Sequence, residues 1–186
     1  MTTTEPLPRG EIIQQLDGTY ELFSLPTDED TLRGVLLDCL AEWEHVRIGM
    51  LVPGAVWEIK PPCQPRTGFL DGYLTVDFEE WHLHLCIGES KAAPPETARL
   101  RRTARAELYR RLNPDHQPTS WGFRLFNGGG QQQITVLLPN PHLDERQNYM
   151  ESPDWDRLYL WDRLRLKYLG QGSDGVDRSA PRFFHG

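Results

Sequence analysis

The chain has 186 residues, a net charge of −7 and a hydrophobic fraction of 38%, which is enough apolar material for one folded domain. The acidic charge disfavours general nucleic-acid binding, because proteins of that class present a basic surface. The three cysteines are widely spaced and odd in number, so they predict no disulfide framework and favour a reduced compartment.

Neither a signal peptide nor a membrane-spanning helix is predicted. Residues 1–10 lack an apolar core, and no run of about 18 apolar residues occurs in the sequence. We therefore expect a soluble, cytoplasmic protein. It would have a flexible leader at 1–10, a single domain at 11–170 and a flexible tail at 171–186.

Three segments carry the signals of helices. The first begins near Thr27, has apolar residues at helical spacing and ends before Gly49. The second is the arginine-rich segment 94–112, which starts with proline and repeats apolar residues every four positions. The third covers 154–169, with Ser152 as its N-cap.

Five segments alternate as strands do, while the segment 11–25 fits neither pattern clearly. The predicted strands are 55–60, 70–78, 81–87, 121–126 and 132–138. Short connections within each group require antiparallel pairing. We predict an α+β domain in the order α-βββ-α-ββ-α, with one antiparallel sheet of about five strands and helices on one face. This element order resembles that of type III secretion chaperones, a likeness that implies an interaction module.

The segment 81–87, Trp-His-Leu-His-Leu-Cys-Ile, alternates strictly, which puts its histidines and its cysteine on one face of a strand. The segment 70–78 alternates in phase with it. A two-residue turn at Glu79 and Glu80 then pairs the two strands in one register that suits both faces. That register places Asp77 opposite His82, Thr75 opposite His84 and Tyr73 opposite Cys86.

Histidine and cysteine are ligands for zinc, iron and copper, so this face predicts a transition-metal site in a small metalloprotein. The predicted ligands are His82, His84, Cys86 and Glu58, the last on the strand 55–60. If the metal is catalytic, Asp77 would orient an imidazole, and Tyr73 and Arg124 would position a substrate. The competing interpretation is a solvated outer face, and the sequence leaves open whether the protein is an enzyme.

The third helix supports a second hypothesis, a metal-free, chaperone-like or protein-interaction module. Its tryptophans, tyrosines and leucines occupy nearly every side, so it needs covering on two sides. A second copy, a protein partner, the loop 139–152 or the tail would provide that cover. The predicted partners are therefore a small-molecule ligand or a protein, including a possible homodimer, with no membrane and with nucleic acid unlikely.

Overall fold

The computed structural model describes residues 10–52 and 54–183, so most of the predicted leader lies outside the described residues. The strands are β1 Glu11–Gln15, β2 Gly18–Leu25, β3 Arg47–Val52, β4 Ala55–Ile59, β5 Arg66–Leu70, β6 Tyr73–Asp77, β7 His82–Cys86, β8 Thr103–Leu112, β9 Pro118–Asn127 and β10 Gln132–Leu137. The α-helices are α1 Glu29–Leu40, α2 Pro95–Arg101 and α3 Tyr159–Leu169. Two 3-10 helices, Trp155–Leu158 and Gly175–Arg178, flank α3.

The strands form two antiparallel sheets, which confirms the α+β class and corrects the predicted sheet. The large sheet has seven strands in the order β1-β2-β8-β9-β10-β3-β4, and the small sheet has the order β5-β6-β7. The single sheet of about five strands was therefore wrong. The ambiguous segment 11–25 is a hairpin of two strands, and β8 replaces most of the predicted second helix.

The segment 94–112 is a strand for most of its length, because β8 lies in the middle of the large sheet between β2 and β9. Only Pro95–Arg101 is helical, and α2 buries none of its residues. Ala106 and Leu108 face the core at the two-residue spacing of a strand. Arg110, on the same face, is buried because it forms ion pairs with Glu21 and Asp177.

The predicted register of the hairpin 70–87 is confirmed. Asp77 pairs with His82, Thr75 with His84 and Tyr73 with Cys86. The rings of Phe78 and Trp81 stack at the turn with centroids 4.1 Å apart. A further strand, β5, precedes this hairpin and pairs with β6 along its whole length.

One core fills the space between the two sheets and the helices. It combines Phe23 and Phe123 from the large sheet, Val76 from the small sheet, Leu32 from α1 and Trp161 from α3. All five side chains are buried. The helices α1 and α3 thus cover one face of the large sheet, which leaves its other face to form the cleft described below.

The chain itself covers most of the aromatic third helix, as one of the alternatives expects, and a dimer through this helix stays a prediction. Leu160, Trp161 and Leu164 are buried within the chain, whereas Tyr159 and Leu166 are exposed. The cover comes partly from the segment after residue 170, because Asp177 binds the indole of Trp161. Within the described residues, no helix is both long and apolar enough to cross a membrane.

Candidate functional site

The predicted metal ligands His82 and His84 lie on the exposed face of the small sheet. Their ring centroids are 5.0 Å apart. The Nδ1 atom of His84 is 2.8 Å from the hydroxyl of Thr75, and Arg66 donates to the carboxylate of Asp77 at 3.0 Å. The backbone N–H of Glu79 also donates to Asp77. This bond is the main cause of the lowered pKa of the Asp77 carboxyl. On this face, Thr75 therefore bonds to His84 and Arg66 to Asp77.

The other two predicted ligands do not join them. Cys86 is buried, its thiol lies 3.8 Å from the carbonyl oxygen of Gly88, and burial raises the pKa of that thiol. Glu58 lies in β4 of the large sheet, opposite Gly49, because β5 rather than β4 pairs with β6. Across residues 10–52 and 54–183, no three His, Cys, Asp or Glu side chains are grouped as a metal site requires. The predicted His-x-His-x-Cys metal site was wrong.

The three residues predicted to assist catalysis are divided between the sheets. Asp77 and Tyr73 lie in β6 of the small sheet, whereas Arg124 lies in β9 of the large one. Arg124 is buried and forms an ion pair with Glu107 on the neighbouring strand. The structure thus does not bring the three residues together, and their catalytic roles remain predictions.

A different site is present on the face of the large sheet that the helices leave uncovered. It is a cleft of about 650 Å³, and we call it the sheet cleft. The turn between β1 and β2 lines one side, and β3, β4 and the residues just before β3 line the other. The loop 139–149 and Phe183 close one end. No single segment of the sequence predicts this cleft, because its lining comes from the whole length of the chain.

The floor of the sheet cleft is aromatic and apolar. Tyr20 and Tyr109 are buried and meet edge to face, with ring centroids 5.7 Å apart, and Leu137 packs against them. The ring of Tyr109 lies directly over Gly122, where a Cβ atom would approach it to 2.5 Å. A residue without a side chain therefore allows the ring to lie against the sheet.

Both floor phenols are held in the neutral form. Burial and a hydrogen bond from Tyr20 to Asp17 at 2.7 Å raise the pKa of Tyr20 to about 12. Burial likewise raises the pKa of Tyr109. The guanidinium of Arg124 lies over their faces, 5.1 Å from the centroid of the Tyr20 ring and 4.9 Å from that of Tyr109. This cation lies on the same face of the sheet as Tyr109 and stabilises the two rings.

Charged side chains of both signs surround the apolar floor. The cations are Arg47, Lys60, Arg111 and Arg157, and the acids are Asp17, Glu44, Glu58 and Glu145. Arg111 donates to the backbone carbonyl of Asp17, and Arg157 donates to Glu145 at 2.7 Å. The arrangement suits a flat, mainly apolar molecule that carries charged groups at its edge.

One histidine, His45, belongs to the lining of the sheet cleft. Its Nδ1 atom is 3.6 Å from the carboxylate of Glu145, and its ring meets the ring of Tyr159 edge to face at 6.5 Å. Burial acts to raise the pKa of Glu145, but the hydrogen bond and charge of Arg157 outweigh it and lower that pKa. His45 could not be singled out from the sequence, because its neighbours along the chain carry no metal-binding or catalytic pattern.

Comparisons with known proteins identify a family and several solved structures with a similar fold. The model of a family described as "Family of unknown function (DUF7676)" matches residues 11–170, and no curated protein matches. A solved structure of the heme-binding protein ChuX has a TM-score of 0.50 at 14% identity, covering 81% of this chain and 78% of that one. A protein of Erwinia carotovora has a TM-score of 0.51 at 14% identity, covering 80% and 75%. At such identities the likeness shows the fold alone.

Proposed function

The chain belongs to DUF7676, a family of unknown function, and we propose that it binds heme in the sheet cleft. The observation that carries the proposal is the cleft of about 650 Å³, with its floor of Tyr20, Tyr109 and Leu137. The fold adds support, because a structural neighbour is described as a heme-binding protein. This proposal replaces the His-x-His-x-Cys metal site, whose predicted ligands lie apart.

The size and polarity of the sheet cleft fit a porphyrin. Binding sites for small molecules and cofactors typically enclose about 300–1,000 Å³ and are lined mainly by apolar and aromatic groups. The buried rings of Tyr20 and Tyr109 give the sheet cleft an aromatic base. Leu51 and Val56 extend the apolar surface along β3 and β4. The hydrophobic part of heme binding would come from these contacts.

The edge of the sheet cleft offers partners for the two propionates of heme. Arg47 and Lys60 both line it, and neither forms an ion pair with any of the described residues. Arg111 is oriented by the carbonyl of Asp17 and lies against Gly18, which has a φ of 146°. Arginine is suited to binding carboxylates because its planar guanidinium can donate two parallel hydrogen bonds.

A titration of the purified protein with hemin, followed by the Soret absorption band, tests the proposal. Val56 lines the sheet cleft and is 64% exposed, so Val56→Glu places a carboxylate among the apolar contacts without disturbing the core. We expect Val56→Glu to weaken hemin binding by at least about tenfold, equivalent to 1.4 kcal/mol.

Val52→Glu is the matched control. Val52 is 46% exposed on the adjacent strand β3 and does not line the sheet cleft. We expect this variant to bind hemin as the wild type does. His82→Ala/His84→Ala should also leave binding unchanged, because both histidines lie on the small sheet. A wild type that shows no saturable hemin binding would refute the proposed function, as would equal weakening by Val56→Glu and Val52→Glu.

A further inference from the structure

We infer that His45 is the axial ligand of the heme iron and that Glu145 and Arg157 orient its imidazole, an inference that rests on the proposed function of the sheet cleft. All three side chains belong to the lining of the cleft. His45 comes from the turn before β3, whereas the other two come from the loop and 3-10 helix that precede α3. Parts of the chain that are distant in sequence thus meet at one point of the cleft wall.

The carboxylate of Glu145 connects the guanidinium of Arg157 to the imidazole of His45. Arg157 is anchored by a hydrogen bond from its Nε to the carbonyl of Asn140 at 3.1 Å and donates through Nη1 to Glu145 at 2.7 Å. The same carboxylate oxygen faces Nδ1 of His45 at 3.6 Å. A carboxylate on one ring nitrogen of a histidine directs the proton there and leaves the other nitrogen to bind metal.

The ring of His45 also has a packed neighbour. The ring of Tyr159 meets it at an interplanar angle of 88°, and the hydroxyl of Tyr159 donates to Glu42 at 2.8 Å. This hydrogen bond fixes the tyrosine against α1 and its following turn. Glu145 and Tyr159 therefore restrain the imidazole on two sides. The imidazole is still accessible, because 43% of the His45 side chain is exposed.

Three buried side chains near the sheet cleft are less suitable as iron ligands. The phenol of Tyr20 already donates to Asp17, and that of Tyr109 lies over the backbone of Gly122. His142 is only 2% exposed and lies between the rings of Trp121 and Trp155. His45 therefore combines accessibility with a ring that packs against Tyr159 and faces Glu145, and imidazole is a ligand that iron accepts.

Nε2 of His45 would hold the ferric iron through its lone pair and would displace a bound water as an intact molecule, with no electron transferred. Nδ1 would stay on the side of Glu145. The contribution of His45 therefore depends on iron, whereas the apolar floor and the cations at the edge act on the porphyrin itself.

This difference provides the test, which compares hemin with iron-free protoporphyrin IX. We expect His45→Ala to change the Soret position and the electron paramagnetic resonance spectrum of the ferric complex and to weaken hemin binding by at least about tenfold. The same variant should bind iron-free protoporphyrin IX like the wild type, which shows that it is folded. Imidazole added to the ferric complex of His45→Ala should restore a spectrum like that of the wild type.

Two further variants complete the design. Glu145→Gln should weaken hemin binding by about tenfold and leave protoporphyrin binding unchanged, as expected for a residue that positions a ligand. His84→Ala is the matched control, since it removes an exposed histidine from the small sheet and should change neither spectrum nor affinity. A His45→Ala complex with the wild-type spectrum would overturn the inference and leave the proposed function standing. A wild type that binds neither porphyrin would overturn both.

Discussion

The indole nitrogen of Trp161 donates a hydrogen bond of 2.8 Å to the carboxylate of Asp177, which is completely buried. Trp121 donates to the other carboxylate oxygen at 2.9 Å. Arg110 and Arg165 form ion pairs with the same carboxylate at 2.7 and 3.2 Å. One acid thus joins β8, β9 and α3, and it belongs to a segment that lacks any periodic sequence pattern.

Asp177→Ala should strongly destabilise the protein. It leaves two buried guanidinium groups without this carboxylate and two indole N–H groups without their acceptor. Removing one partner of a buried ion pair typically costs about 3–5 kcal/mol. Urea unfolding should show a loss of that size, whereas Asp115→Ala in an exposed turn should change the unfolding free energy by less than about 0.5 kcal/mol. A loss below about 1 kcal/mol for Asp177→Ala would show that the contacts of this carboxylate contribute little.

Gly122→Ala should destabilise the fold and disturb the floor of the sheet cleft. The new methyl group would lie 2.5 Å from the ring of Tyr109, so the ring must shift in a packed environment. Such overpacking usually costs about 1–3 kcal/mol. Gly172→Ala is the control, because an added Cβ atom there meets nothing within 4 Å among the described residues. If thermal unfolding shows equal stability for the two variants, the close contact with Tyr109 is not a constraint.

His142 should make the protein less stable as the pH falls below the ordinary histidine pKa of 6.5. Burial lowers the pKa of His142 below its ordinary value of 6.5, so the unfolded chain binds the proton more readily than the folded one. The unfolding free energy therefore falls as the pH drops below 6.5, by at most about 1.4 kcal/mol per pH unit, and levels off below the folded pKa.

Urea unfolding at several pH values measures this slope, and His142→Leu should flatten it. His116→Asn, which removes an exposed histidine whose φ is 58°, should leave the slope as it is in the wild type. Asparagine suits that position because it tolerates a positive φ. An unchanged slope in His142→Leu would assign the pH dependence to other groups.

The register of the hairpin formed by β6 and β7 was predictable, whereas the segment 94–112 was not. In the hairpin, the alternation of each strand and the short turn at Glu79 and Glu80 specify one register, so local information is sufficient. In β8, leucines spaced by four suit a helix face and a strand face equally. The strand is held by pairing with β2 and β9, and Arg110 on it is buried through ion pairs with Glu21 and Asp177 from distant parts of the chain.

The candidate site was beyond prediction for a related reason. Tyr20, His45, Tyr109 and Glu145 meet only because the large sheet brings β1 and β2 near β3 and β4 across its open face. None of these residues stands in a recognisable motif. The conspicuous histidines at 82 and 84 instead face outward from the small sheet, where alternation alone accounts for their positions.

The burial of Asp177 bears on how the protein should be produced. The segment matched by the family model ends at residue 170, and a recombinant fragment cut there would lack the acid that neutralises Arg110 and Arg165. We expect such a fragment to expose Trp161 and to aggregate on expression, even though all the α-helices and strands described above would be present. During synthesis, the nascent chain likewise cannot complete its core until residue 177 has left the ribosome.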